Sequence, residues 1–182
     1  MTHTIKTERL IIRLARSEDA EAIFSYRSDC IENRYQGWIP NSVDEVRGYI
    51  INMPNTIDVA NLCFQFVIMT VEENRLIGDM GISFTNHDNM QAEIGCTLDK
   101  AFQNKGYATE AMKAMVDYLF TTMKKRRIIA SVDPRNTASI RLIERIGFRK
   151  EAHFKESYYL RGEWVDDLIY AKLKEEWTIQ HL

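Results

Sequence analysis

Gln103-Asn104-Lys105-Gly106-Tyr107-Ala108-Thr109-Glu110-Ala111 is the stretch whose chemistry can be read most directly. It lies between a strand-like run, Ala92 to Leu98, and a helix-like run, Gly106 to Met123. A loop that ends in glycine and opens a helix presents several backbone N–H groups with no intrahelical acceptor. Those donors, together with the positive end of the helix dipole, suit phosphate oxygens. A side chain at Gly106 would obstruct the anion. The loop is neither GxxxxGK(S/T) nor GxGxxG, so it carries no P-loop lysine and no dinucleotide fingerprint. A pyrophosphate-bearing ligand is the first expectation. An ordinary strand–loop–helix connection stays open on this stretch alone.

The elements that must position this loop follow from periodicity. Arg9 to Leu14 is a short β-branched strand. Ser17 caps a helix to about Arg27, with Asp19 and Glu21 in its first turns. Gly37 to Pro40 breaks the chain. Ser42 and Glu45 form a capping-box pattern for a helix to about Asn52. Met53 to Asn61 is loop, and Leu62 to Val71 is an apolar strand. Glu72-Glu73-Asn74 turns into a strand from Arg75 to Phe84. Asn86 to Asn89 turns again into Met90 to Leu98. The helix from Gly106 carries Ala111, Met112, Met115, Val116, Leu119, Phe120 and Met123 on one stripe.

Arg127 to Val132 is a further strand. Thr137 to Arg145 is a helix stopped by Gly147, which suits the left-handed position after a helix end. Strands at about Arg149 to Lys155 and Tyr158 to Leu173 follow, with a break near Arg161-Gly162. This order predicts an α+β chain whose mixed sheet is covered by helices. It predicts a single domain over residues 1–175 and a C-terminal tail over 176–182.

With 182 residues, 45% apolar and 27% charged, the chain can bury one sizeable core. A net charge of −2 gives no field towards nucleic acid or anionic lipid, so neither is an expected partner. Lys124-Lys125-Arg126-Arg127 reads as a solvated helix end. Cys30, Cys63 and Cys96 fit no disulfide framework, and Cys63 and Cys96 read as buried small hydrophobes. His3, His87, His153 and His181 show no ligand spacing, so no metal is expected. There is no apolar leader and no run of 18 apolar residues, so the chain reads as cytoplasmic, with no membrane partner.

A second motif lies downstream: Asn136-Thr137-Ala138-Ser139, then Glu144, then Gly147-Phe148. Taken singly, these residues are a capped helix with a glycine stop. Taken with other segments they resemble the GNAT superfamily of acetyltransferases, in its RimJ/RimL-like branch. Thr7-Glu8-Arg9-Leu10-Ile11-Ile12-Arg13 resembles that branch's TERLxLR entry. Ala92-Glu93-Ile94-Gly95 resembles its AEIG strand, and Gly106 to Ala111 its GYAxEA loop and helix. Asn136 to Phe148, then Gly162, Asp166 or Asp167, and Tyr170, resemble its NxxSxxxxExxGF and GxxxDxxxY segments.

The resemblance implies a GNAT fold. That is a splayed mixed seven-stranded sheet flanked by about four helices, with a pantetheine arm in the splay between strands 4 and 5. It implies acetyl-CoA as cosubstrate and direct attack by an amine in a ternary complex. The amine is a protein N-terminal α-amine or a small-molecule primary amine. A primary amine must lose a proton before it attacks, and Glu93 is the first choice of base. A glutamate in a half-buried strand has a raised pKa, although a structural hydrogen bond is equally open. Ser139 is the donor to the departing sulfur. The tyrosine that many relatives carry seven residues after the Asn is replaced here by Ile143. Tyr158 stands where a final-strand glutamate is expected, with Glu156 two residues earlier on the same face, so the base assignment stays divided.

By the same resemblance Asn136 bonds the pantetheine arm, and Gly95, Cys96, Thr97 and Leu98 supply backbone groups to it and to the oxyanion. Gln103, Asn104, Lys105, Gly106, Tyr107, Ala108 and Thr109 line the pyrophosphate through backbone amides. Lys105 either adds charge there or is an exposed loop lysine. Tyr35 and Trp38 form an acceptor wall opposite Tyr158, unless they serve core or dimer packing. A homodimer is left open. The competing reading from another class is a non-catalytic CoA-binding regulatory module on the same fold.

Overall fold

Strongly apolar strand runs separated by short polar turns pair in sequence, as hairpins do. The structure is a computed structural model that describes residues 3–54, 56–85 and 88–179, with residues 178 and 179 described by backbone only. Asn55, Asn86 and His87 of two predicted loops, and residues 180–182 of the predicted tail, lie outside the described residues. The strands are β1 (Thr4–Lys6), β2 (Leu10–Leu14), β3 (Cys63–Thr70), β4 (Leu76–Thr85), β5 (Gln91–Leu98), β6 (Arg127–Val132), β7 (Arg149–Leu160) and β8 (Glu163–Leu173). They form one sheet in the order β1-β2-β3-β4-β5-β6-β8-β7. The helices are α1 (Ala20–Arg27), α2 (Val43–Ile51), α3 (Tyr107–Thr121), α4 (Thr137–Arg145) and α5 (Lys174–Ile179).

The predicted stripe of α3 is the core. Ala111, Met112, Met115, Val116, Leu119 and Phe120 are all buried against Met80, Ile82, Ile94 and Ile128 of the sheet, together with Ile143 of α4. On the opposite face Ile23 of α1, Val46 and Ile50 of α2, and Val67 of β3 make a second cluster. Among the described residues only β5 and β6 pair in parallel, joined by the crossover helix α3. Their register covers Gln91–Glu93 against Arg127–Ile129 and no further. Beyond Glu93 the two strands part, and this is the splay the sequence led us to expect.

The sheet has eight strands rather than seven. Thr4–Lys6 pairs with Ile11–Arg13, a run too short to show a period. The predicted tail is also corrected. Lys174–Ile179 is a fifth helix, and its Trp177 is buried 6.4 Å from the ring of Phe120, with Nε1 donating to Asp117 at 3.2 Å. The break expected near Arg161-Gly162 is the hairpin turn between β7 and β8, whereas the expected strand boundary between Lys155 and Tyr158 is a bulge within β7. Ser17 lies within a 3-10 turn instead of capping. Asp19 precedes α1 but makes no side-chain bond into it; its carboxylate turns back to accept from the Arg16 N–H at 2.7 Å while Arg13 grips it with two nitrogens.

Two burial readings are overturned by tertiary context. Cys63 is exposed at the start of β3. Lys125 is almost fully buried rather than solvated. Its ammonium bonds Asp58, donates to the Asn89 carbonyl and sits 4.7 Å over the Phe84 ring. A lysine can be buried only when its charge is paired in this way.

One buried polar network fixes α1 to the sheet. Asp79 of β4 has no exposed surface. It accepts from Tyr26 Oη (2.5 Å), from Arg27 Nε (2.7 Å) and Nη2 (2.5 Å), and from Gln65. Arg27 also reaches Thr97 Oγ1 of β5 and the Trp38 carbonyl. Burial, then Asp79, push the Tyr26 hydroxyl well above its usual range, so it stays a donor. Asp79→Ala leaves the Arg27 charge buried without its partner, a loss of about 3–5 kcal/mol. A thermal melt should show a midpoint lower by roughly 6–20 °C at this chain length. An unchanged midpoint would show that the network does not hold the fold.

Candidate active site

The loop after β5 is shaped before α3 begins. Asp99 Oδ1 accepts from the Ala101 N–H and starts a 3-10 turn over Lys100–Phe102. Gln103 Nε2 donates to the Leu98 carbonyl at 3.1 Å. Asn104 and Gly106 then take φ of 60° and 82°, the left-handed region in which Asn and Gly are the favoured residues. The first α3 ladder bond is Glu110 N–H to Gly106 C=O. The amides of Tyr107, Ala108 and Thr109 therefore precede the ladder and point out of the helix end.

The first turn of α3 is tied to β2. Glu110 accepts from Thr7 Oγ1 (2.6 Å), the Arg9 N–H (3.0 Å) and Arg9 Nε (2.6 Å). Burial alone would raise this carboxyl, but those hydrogen bonds hold it below its usual value. Arg9 also donates to the Lys105 carbonyl and lies over the Tyr107 ring. The entry strand thus clamps both sides of Gly106.

The start of α4 closes the other side. Asn136 Oδ1 accepts from the Ser139 N–H at 3.2 Å and caps the helix. Its far end is a two-bond stop, Phe148 N–H to Ile143 C=O and Gly147 N–H to Glu144 C=O, with Gly147 at φ 86°. Tyr170 of β8 donates to Glu144 at 2.9 Å.

These pieces meet in one open cleft of about 700 Å³. Its walls are the segment Asp29–Gln36 after α1, the strand end Cys96–Lys100, the loop and helix start (Gln103, Asn104, Gly106, Ala108, Thr109), and the α4 residues Asn136, Ser139, Arg141 and Arg145. A narrower recess of about 80 Å³ runs on between the parted strands, from Ile94–Cys96 to Ala130–Asp133. Residues 9–149 match the acetyltransferase (GNAT) domain.

The chain belongs to the GNAT acetyltransferase family. It is 33% identical over 176 residues to the uncharacterized N-acetyltransferase p20 of Bacillus licheniformis, covering 96% of this chain and 98% of that one. It is 29% identical to the [ribosomal protein uS5]-alanine N-acetyltransferase of Escherichia coli, covering 96% and 92%. A GNAT acetyltransferase crystal structure from Bacillus anthracis superposes with a TM-score of 0.85 at 34% identity, covering 95% and 99%. The fold is therefore the GNAT fold, and the chain is an N-acetyltransferase.

Within this GNAT site the structure brings together Cys96, Thr97, Leu98, Gln103, Asn104, Gly106, Ala108, Thr109, Asn136, Ser139 and Tyr35 around the cleft, and Gly95 lines the recess. Lys105 and Tyr107 do not line the cleft. The Lys105 ammonium sits over Phe102, and the Tyr107 ring packs on Arg9. Cys96 lines the cleft, yet burial, then Asp79, push its thiol up to about 12, so it is no thiolate nucleophile at neutral pH.

Glu93 is half-buried on the sheet face it shares with Gly95 and Thr97, and it does not itself line the cleft. Burial, then the Asp167 charge, raise its carboxyl. Asp167 accepts from Ser131 Oγ at 2.7 Å. Asp166 is turned to other work, holding the β7 bulge through His153, Lys155 and the Glu156 N–H.

Trp38 does not line the cleft. Its ring stacks 5.0 Å from Tyr49 and covers Arg27, while Nε1 donates to Glu45, so it belongs to the α1–α2 packing. Tyr158 lies outside the cleft as well, half exposed with its hydroxyl beside Gly37. The same-face expectation for Glu156 and Tyr158 does not carry across the bulge, because three residues there oppose one. Sequence reading also missed Arg141 and Arg145, whose spacing of four on α4 was the available signal, and Asp29, Glu32 and Asn33, which no local pattern marked.

Gly106→Glu tests the helix-end site. It forces a side chain into a left-handed φ of 82°, places its Cβ 3.3 Å from Arg9 Nη2, and adds a carboxylate where phosphate oxygens are expected. Calorimetry with coenzyme A should show affinity lower by about 100-fold or more, roughly 2.8 kcal/mol. Unchanged affinity in a folded variant would remove the site.

Proposed function

We propose that this chain is a RimJ/RimL-like, cytoplasmic enzyme that acetylates the α-amine of a protein N-terminus with acetyl-CoA. The observation that carries this reading is the single cleft. It joins the free amides of residues 107–109, the Asn136 and Ser139 cap and the open edge of β5 to a wall from another part of the chain, Asp29–Gln36. Near full-length similarity to a [ribosomal protein uS5]-alanine N-acetyltransferase supports the acceptor class. No helix among the described residues is long and apolar enough to cross a membrane.

The donor side fits acetyl-CoA. The amides of 107–109, with Arg141 and Arg145 beside them, suit the diphosphate. The edge of β5 beyond Glu93 has no strand against it, so its backbone groups can pair with the amides of a pantetheine arm and stabilise an oxyanion. Glu93 takes the proton of the attacking amine through water passing over Gly95, where a side chain is missing. The N–C bond forms, the C–S bond breaks as the oxyanion collapses, and Ser139 passes its proton to the departing thiolate while its oxygen regains the second proton that the nitrogen sheds. No covalent enzyme intermediate is needed.

Release of free thiol from acetyl-CoA is the test, with alanine-starting peptides, polyamines, amino acids and aminoglycosides offered as acceptors. Turnover confined to the peptides supports the proposal. Turnover confined to another amine moves the acceptor class, and tight acetyl-CoA binding with no turnover favours a regulatory module. Glu93→Gln should lower kcat by about 10²–10⁴-fold. The wild-type rate should rise with pH along an acid limb above the ordinary carboxylate range, because Glu93 acts as a base only once deprotonated and its pKa is raised. That limb should vanish in the variant. A surviving limb would assign the base elsewhere.

A further inference from the structure

The acceptor-side wall, Asp29–Gln36, is irregular chain with few backbone bonds of its own. Asn33 N–H bonds the Asp29 carbonyl and Gln36 N–H the Asn33 carbonyl, while the Asn33 side chain donates to Tyr26 and Asp29 carbonyls. What faces it from outside is the tip of the β7–β8 hairpin. Arg161 Nη1 donates to the Arg34 carbonyl and Nη2 to the Gln36 carbonyl, both at 2.5 Å. Tyr35, the residue between those carbonyls, lines the cleft, and its ring lies between Arg34 at 4.8 Å and Arg135 at 5.8 Å. Arg135 is itself bridged to Asp133 and to Glu163, at the start of β8.

The position of Arg161 is the telling feature. It pairs with Gly162 in a two-residue turn, at φ 46° and 93°. Such turns favour Asn, Asp or Gly at both places, because φ is positive. An arginine there works against local preference, and strain of this kind is worth reading as a sign of function. The side chain compensates with a two-pronged, charge-assisted grip on backbone carbonyls of the cleft wall.

We infer that Arg161 is a positioning residue for the acceptor, a latch that holds Tyr35 and the Asp29–Gln36 wall in place from the hairpin tip. Arg161 touches no substrate and does not belong to the donor side. The inference rests on the acetyl-transfer reading of the cleft, but the latch itself can be tested without turnover.

Arg161→Asn is the decisive variant, since it suits the turn and removes the fork. Hydrogen–deuterium exchange should speed up at the amides of residues 29–37 by about tenfold or more, with β5 unchanged. With an alanine-starting peptide, acceptor KM should rise about tenfold while kcat moves less than about threefold, and coenzyme A affinity should stay within about twofold. Arg161→Lys, which keeps one donor, should recover part of the KM. Unchanged exchange at 29–37 overturns the latch. Faster exchange with unchanged acceptor KM, or an equal loss for both substrates, overturns the positioning role. If the wild type transfers to no amine offered, the functional reading and the positioning role fail together, and exchange alone then decides whether the latch exists.

Discussion

The Arg27–Asp79 pair is the constraint around which the acceptor face is arranged. Four hydrogen bonds from three residues converge on a carboxylate with no exposed surface: Tyr26 and the two-pronged Arg27 from α1, and Gln65 from β3. A buried ion pair stabilises only when its remaining hydrogen-bonding capacity is met. Here it is met by groups that define geometry. Arg27 reaches Thr97 on β5 and the Trp38 carbonyl as well. One guanidinium therefore fixes where α1 ends and where the chain returns after the acceptor wall, relative to the strand that carries the donor site.

The donor site is ordered by a second set of partners, and these are the motif residues themselves. Thr7 and Arg9, from the entry motif, hold Glu110 of the loop–helix motif. Glu144, from the α4 motif, is held by Tyr170 of the final-strand motif. Segments that resemble a family far apart in sequence are in contact in space, each satisfying the other's polar groups. The parted strands then need no special device. Parallel pairing ends after Glu93, and α3 and α4 cover the core face on either side.

This division explains what the sequence could and could not disclose. The α3 stripe, the Ser42 cap with its bond from the Glu45 N–H, the Gly147 stop and the Gly106 loop are local, and a window of a dozen residues contains their cause. Lys125 looked solvated because its partners, Asp58 and Asn89, come from loops far upstream. Lys174–Ile179 looked like a tail because Trp177 is placed by Phe120 and Asp117. The β7 bulge is set by Asp166 across the hairpin, so period-two counting from Tyr158 to Glu156 lost its footing. The resemblance leaves Trp38 between an acceptor wall and packing, and its neighbours Tyr49 and Glu45 decide for packing.

The same contrast separates the two halves of the cleft. Backbone amides at a helix end and an open strand edge build the donor half, features any sequence with the right turn can supply. Distant side chains grip irregular chain to build the acceptor half: Arg27 at Trp38, Arg161 at Arg34 and Gln36, and Lys100 at Glu32. These ties are unequal. Lys100 and Glu32 form an ion pair with the lysine side chain largely in solvent, where water screens it. Forked guanidinium bonds to carbonyls are stronger and hold geometry better. The forked ties thus gather at the Arg34–Trp38 end of the wall, and the tie at Glu32 is the weaker one.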